Sequence, residues 1–117
     1  MNRVDSARKQ GDEWGKRSDN AGCFNEAVTR YRRGHSWEER YASSIFLAAC
    51  LNASRSTPGF CDGVPQEEVA QWVQEQCSRI SLEGDGCHSL YYRVQEYCER
   101  SDRQSIQGIG GQKSAPH

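Results

Sequence analysis

The sequence lacks long apolar runs. A membrane-spanning helix needs about 20 consecutive apolar residues, and this chain, with a mean hydropathy of -0.92, has no such segment. Proline is scarce, with 3 residues in 117, and no segment alternates between apolar and polar residues as a half-buried strand would. The sequence therefore predicts an all-α domain without a membrane span.

Closely spaced cysteine pairs are also missing. Structural zinc ligands come in pairs about two to four residues apart, whereas the nearest cysteines here, Cys77 and Cys87, are separated by 10 residues. An even set of cysteines is typical of a disulfide framework in an oxidising compartment, here the periplasm or the extracellular space. The alternative is a reduced protein in which cysteines are small core residues. The six cysteines are Cys23, Cys50, Cys61, Cys77, Cys87 and Cys98.

Both ends of the chain are poor in large apolar residues. Residues 1–18 are highly charged, and residues 102–117 are rich in glycine, glutamine and serine. We therefore expect a flexible charged N-terminal segment at 1–18, a helical disulfide-bonded domain at 19–101 and a disordered tail at 102–117. The polar start lacks the apolar region of a secretory signal. It is interpreted as the start of a mature domain, with a lipid-anchored N-terminus upstream as one option.

Four helices are predicted from apolar periodicity and from start signals. The first spans 19–33 and the second 36–54, where Ser36 begins a capping box. The third starts at Pro65, a favourable first helical residue, and the fourth starts near Asp85. Short connections favour antiparallel neighbours.

This antiparallel order predicts the disulfide pairing. The start of the first helix, the end of the second, the loop that follows it and the end of the fourth helix fall at one end of the domain. The end of the third helix and the start of the fourth fall at the other end. Among the possible connectivities, we predict Cys23–Cys50, Cys61–Cys98 and Cys77–Cys87.

Signatures of catalysis are absent. Six bridged cysteines leave no free thiol for a Cys–His pair, and no GxSxG motif is present to support a catalytic serine. The glycines at 108–112 lack the strand and helix that flank a phosphate loop. Neither EF-hand nor zinc spacing occurs. We expect a protein that is not an enzyme, with no metal ligand and no cofactor.

Acidic residues are concentrated in one segment. Residues 62–86 contain six acidic side chains and one basic side chain, whereas residues 1–34 contain five acidic and eight basic. A nucleic-acid-binding domain would instead carry a basic stripe over its fold, so we expect no nucleic-acid partner. The acidic segment either attracts a basic protein partner or is simply a solvated helix face with carboxylates at helix starts.

The longest predicted connection contains the stretch TPGFCDGVP at 57–65. Its composition has a structural explanation, because Pro58-Gly59 favours a type II turn, a disulfide at Cys61 would hold the loop, and Pro65 starts a helix. The same features would fix an aromatic side chain and a carboxylate in place for binding at low entropic cost. The candidate partner-binding residues in and beside residues 55–64 are Arg55, Phe60, Asp62, Glu67 and Glu68.

Two neighbouring segments within residues 21–54, AVTRYRRG and YASSIFLAAC, give the chain a resemblance to the immunity proteins of type VI secretion. Those are small, helical, disulfide-containing periplasmic proteins that protect against peptidoglycan amidase effectors, and some plug the effector's active-site groove with a protruding loop. The resemblance implies a periplasmic inhibitor that occludes a protein partner through the 55–64 loop. A structural or accessory envelope lipoprotein and a carrier of small molecules or lipids are the alternatives.

Overall fold

The described part of the chain folds into five helices. The computed structural model describes residues 3–82 and 85–109, with side chains for 3–82 and 86–100. The all-α prediction is confirmed, although one helix more is present than the four expected, and the one β-type pairing among the described residues is a bridge between Asp19 and Arg55. The helices are α1 (Arg3–Gly15), α2 (Asn20–Arg33), α3 (Trp37–Ala53), α4 (Val69–Arg79) and α5 (Asp85–Ile109).

Side-chain caps define the starts of α2 and α3. The Gly22 amide donates to Asp19 Oδ1 over 2.9 Å, and the Glu39 amide donates to Ser36 Oγ over 3.2 Å. Glu39 reaches back to accept a 2.6 Å hydrogen bond from the His35 amide. The capping box predicted at Ser36 is therefore formed, and it extends one residue further back than expected.

Helix α3 lies at the centre of the molecule, in contact with α1, α2 and α5, and α4 packs against α5. The apolar sequence of α3 predicts this central position, since a helix that is apolar nearly all round must be covered on several sides. The largest fully buried apolar side chains come from α3, α4 and α5: Phe46, Leu47, Leu51, Val73 and Leu90.

Small residues hold α1 against α3. Ala7, Gly11 and Gly15 recur every four residues on one face of α1, and all three are buried. A β-carbon on Gly11 would clash with the Phe46 carbonyl oxygen, and one on Gly15 would lie 2.5 Å from the Cys50 carbonyl oxygen. Both contacts advance in the same chain direction, so α1 and α3 run parallel and touch almost backbone to backbone.

This packing corrects the expectation of a flexible segment at 1–18. Residues 3–15 form a helix, and Trp14 packs edge-on against Phe46 with ring centroids 6.3 Å apart. The segment was assigned as a tail because it has few large apolar residues. A helix that approaches closely through glycine and alanine needs few of them.

The predicted start of the third helix at Pro65 is also wrong. Helix α4 begins at Val69, after Glu68 with a left-handed φ of 54°. The Pro65 carbonyl oxygen accepts a 3.2 Å hydrogen bond from Gln95 Nε2 of α5. A tertiary contact thus engages a carbonyl oxygen within what would have been the first helical turn, and Glu67 precedes the helix.

The predicted tail begins later than expected. Helix α5 continues through Ile109, so residues 102–109 extend the helix, and residues 110–117 lie outside the described part of the chain. None of the helices, over the residues described, combines the length and apolar character needed to cross a membrane.

All three predicted disulfides are confirmed. Cys23–Cys50 joins the start of α2 to the end of α3, Cys61–Cys98 joins the long connection to α5, and Cys77–Cys87 joins α4 to α5. The pairing follows from the helix order, because each bridge joins segments that the short connections bring to the same end of the domain.

Candidate functional site

The segment between α3 and α4, residues 54–68, is here called the connecting loop, and the side chain of Asn20 anchors its start. Asn20 Nδ2 donates to Ser54 Oγ over 2.9 Å, and Asn20 Oδ1 accepts from the Thr57 amide at 3.2 Å. The Tyr97 hydroxyl approaches the same oxygen at 3.4 Å. Asn20 is only 2% exposed, so one buried amide group joins α2, the loop and α5.

The middle of the connecting loop is a series of tight turns. The Phe60 amide donates to the Thr57 carbonyl oxygen at 3.0 Å, and the Asp62 amide donates to the Gly59 carbonyl oxygen at 3.1 Å. Gly59 has a φ of 80°, the conformation that a type II turn requires at its third residue and that glycine adopts without strain. These turns and the Cys61–Cys98 disulfide fix the direction in which the loop presents its side chains.

Phe60 has two roles in this geometry. Its half-buried ring packs edge-on against Tyr97 of α5, with centroids 6.4 Å apart. The ring also lines a surface cavity formed with α2, α4 and α5. Phe60 thus both packs the connecting loop against α5 and lines the cavity.

This cavity, here called the cleft, encloses about 520 Å³. Its floor is formed by Tyr91 and Val94 of α5, and Phe24 of α2 closes one side. The connecting loop supplies a second wall with Phe60, Asp62, Gly63 and Val64. Helix α4 supplies the opposite wall with Trp72, Glu75, Gln76 and Arg79.

Aromatic rings surround Tyr91 at the floor of the cleft. Trp72 stands perpendicular to it with centroids 5.6 Å apart, and Phe24 contacts it at 5.1 Å. Tyr91 is 8% exposed, and burial raises the pKa of its phenol, which therefore stays neutral at physiological pH. Its hydroxyl has no hydrogen-bond partner among residues 3–82 and 86–100, although buried polar groups are normally paired.

Carboxylates surround one end of the cleft. A shallower depression of about 210 Å³ adjoins it, and the two cavities share Gly63, Trp72 and Glu75. Four carboxylates line these two cavities and are here called the acidic rim: Asp62, Glu67, Glu68 and Glu75. Within the described residues none of the four forms an ion pair, so their charge is available to a ligand.

The structure brings together four of the five predicted partner-binding residues. Phe60 and Asp62 line the cleft, and Glu67 and Glu68 line the adjoining depression. Arg55 lies apart from both cavities. Its amide donates to the Ser18 carbonyl oxygen at 3.1 Å, and its carbonyl oxygen accepts from the Asn20 amide at 2.9 Å, so the backbone of Arg55 aligns the loop with the start of α2.

Sequence reasoning missed the other wall of the cleft. Trp72 and Tyr91 fit the apolar stripes of their helices, and Gln76 and Arg79 were not among the predicted binding residues. A signal was present: positions 72, 75, 76 and 79 recur at the spacing of one helical face, and they combine an aromatic ring with charged and amide groups. A stripe of that mixed composition is unusual for a core-facing surface.

The groups that line the cleft are suited to holding a ligand. All six cysteines are in disulfides, so they supply no thiol nucleophile. No group of His, Cys, Asp or Glu side chains that would hold a metal ion is present among the described residues. The cleft combines aromatic rings, the Tyr91 phenol and carboxylates, which are groups that recognise a ligand by contact and charge.

Comparison with known proteins found no match. No family model, no curated protein and no solved structure matches the chain. The interpretation of the cleft therefore rests on its own walls, its floor and the acidic rim.

Proposed function

We propose that this protein is a non-enzymatic binding module, periplasmic or extracellular, that captures a basic protein partner at the cleft and the acidic rim. Three disulfides indicate an oxidising compartment. The most concrete form of the proposal is an immunity or inhibitor protein that occludes an enzyme such as a peptidoglycan amidase. This form comes from the resemblance noted in residues 21–54.

The observation that carries the proposal is the acidic rim beside a fixed aromatic wall. Within the described part of the chain, four carboxylates without an ion pair line the two cavities that share Trp72, and Arg79 is the one cation that lines either of them. Complementary charge accelerates encounter with a basic surface and excludes acidic ones. The connecting loop is held by Asn20 and by a disulfide, so little conformational entropy is lost when a partner covers it.

The test uses the product of the gene beside the one for this protein. Both proteins are purified, their affinity is measured by calorimetry at two salt concentrations, and protection is scored as growth when the neighbour is directed to the periplasm. We expect binding that weakens with salt, and growth rescue by the wild type. Asp62→Lys should abolish both. Glu13→Lys, the same charge reversal on the exposed outer face of α1, should change neither.

The proposal is rejected if the neighbouring product is basic and still fails to bind. It is also rejected if Asp62→Lys and Glu13→Lys behave alike, because the acidic rim would then have no special role.

One observation favours a second function, a carrier of small molecules. The volume of the cleft, about 520 Å³, falls within the range of about 300–1,000 Å³ found for ligand pockets. Native mass spectrometry of the protein purified without denaturation tests this function, since a carrier should retain a bound mass that Trp72→Ala releases. The envelope-lipoprotein alternative assigned residues 1–18 as a tether, and residues 3–15 are instead packed in α1.

A further inference from the structure

We infer that the cleft receives a single lysine or arginine side chain from the partner, with its charged end at Tyr91, Asp62 and Glu75 and its aliphatic stem against Trp72 and Phe60. The inference rests on the proposed function, because it names the chemical group that the partner inserts.

The buried phenol of Tyr91 is the first argument. The Tyr91 hydroxyl has no hydrogen-bond partner among residues 3–82 and 86–100, an unfavourable state for a polar group of a buried residue, whereas the other polar side chains anchored near the connecting loop, such as Asn20 and Gln95, are hydrogen-bonded. Tyr91 lines the cleft. A ligand N–H donated to the Tyr91 oxygen would satisfy this group, and both lysine and arginine carry only donors.

The aromatic walls are the second argument. Trp72 lies perpendicular to Tyr91 at 5.6 Å, Phe24 contacts Tyr91 at 5.1 Å, and Phe60 closes the loop side. Aromatic rings attract a cation placed over their faces, tryptophan most strongly. The same rings offer apolar surface to the methylene stem of a long basic side chain.

The distribution of charge in the cleft indicates the sign of the ligand's charge. An anionic group in the cleft would meet the carboxylates of Asp62 and Glu75, whereas a cation would pair with them. Arg79 is seven residues beyond Trp72 on α4, about 10 Å along the helix axis, so the end of the cleft that contains Trp72 stays acidic.

The extent of the acidic rim indicates that the cation belongs to a protein. Glu67 and Glu68 line the adjoining depression rather than the cleft itself. They are outside the reach of a small amine bound beside Tyr91, yet they complement further basic groups on the same macromolecular surface.

The test uses three peptides and does not need the partner. They are acetyl-Ala-Ala-Xaa-Ala-Ala-amide with arginine, lysine or glutamine at the centre, and tetramethylammonium is the small-cation control. The protein is labelled with ¹⁵N, and the indole N–H signal of Trp72 is followed during titration. The signal is assigned with Trp72→Phe, because Trp14 and Trp37 also contribute signals.

The arginine and lysine peptides should shift the Trp72 signal with dissociation constants at least tenfold lower than that of the glutamine peptide. Tyr91→Phe should raise these constants about three- to tenfold, and Glu75→Gln should do so as well and reduce the salt dependence. Tyr92→Phe is the matched control, because Tyr92 is the next residue, is 39% exposed and does not line the cleft.

Equal affinity for the arginine and glutamine peptides would overturn the inference, and so would an unchanged affinity in Tyr91→Phe. If tetramethylammonium binds as tightly as the peptides, a small cation rather than a protein side chain is the occupant. If the peptides fail while the neighbouring gene product still binds through Asp62, this inference is wrong and the proposed function stands.

Discussion

Asn20 and Thr57 are joined across the base of the connecting loop by a hydrogen bond of 3.2 Å from the Thr57 amide to Asn20 Oδ1. The same side chain also holds Ser54 at 2.9 Å. It thereby fixes the loop that forms one wall of the cleft, although Asn20 itself is far from the acidic rim in sequence and is buried.

We predict that Asn20→Ala lowers the free energy of unfolding by about 2–3 kcal/mol, because it removes a buried side chain, leaves the Thr57 amide without its acceptor and removes the donor to Ser54 Oγ. Denaturant unfolding measures the loss. Asn25→Ala is the control, since Asn25 is exposed on the same helix. A loss no larger than that of the control would show that the loop is not held by Asn20.

Gly15→Ala should destabilise the protein by about 1–3 kcal/mol, the usual cost of overpacking. In an exposed helix the same change is stabilising by about 1 kcal/mol, so the sign of the effect is the test. The added β-carbon would lie 2.5 Å from the Cys50 carbonyl oxygen and 2.8 Å from the Ala53 β-carbon. The change in stability is measured by thermal unfolding of Gly15→Ala, with Lys9→Ala on the exposed face of α1 as the control. An increase in melting temperature would mean that α1 does not pack closely on α3.

The disulfide framework and the central helix were predictable because they depend on order along the chain. Short connections place helix ends together, and this alone selects the Cys77–Cys87 pair, since the other four cysteines fall at the opposite end of the domain. Helix α1 was missed because Gly11 and Gly15 signal close approach rather than an apolar stripe. The start of α4 was misplaced because the hydrogen bond between Gln95 and the Pro65 carbonyl joins residues 30 positions apart, which no local pattern records.

The candidate site was predictable only on its loop side. Phe60 and Asp62 are conspicuous in a segment with little else to explain them, whereas Trp72 and Tyr91 fit helical stripes that a core requires in any case. Their role in lining the cleft depends on a gap between α4 and the connecting loop. The width of such a gap follows from three-dimensional packing and not from periodicity.

Replacing Cys61 and Cys98 together by alanine should cost about 4 kcal/mol, because this bridge closes a segment with a sequence separation of 37. Replacing Cys77 and Cys87 should cost about 1 kcal/mol less, because that separation is 10. Denaturant unfolding of the two double variants shows which of them loses more stability. In the first variant, arginine-peptide binding should also weaken at a temperature where the helices remain folded by circular dichroism. Intact binding would show that the disulfide does not hold the wall of the cleft.

The cap of α2 should make stability sensitive to acid. The Gly22 amide, and after it the Thr57 side chain, lower the pKa of Asp19 in the folded protein. A carboxyl group whose pKa is lower in the folded state contributes stability above its unfolded pKa, about 3.9. That contribution is lost as the pH falls through the folded value.

Asp19→Asn keeps a capping oxygen but does not titrate. We therefore expect the stability advantage of the wild type over Asp19→Asn to be constant from about pH 7 to about pH 5 and to shrink below about pH 4. Urea unfolding at a series of pH values measures both proteins, with Glu13→Gln on the exposed face of α1 as the control for loss of a carboxylate. Parallel curves for the wild type and Asp19→Asn down to about pH 2 would contradict the prediction, because the carboxylate would then contribute equally in the folded and unfolded chains.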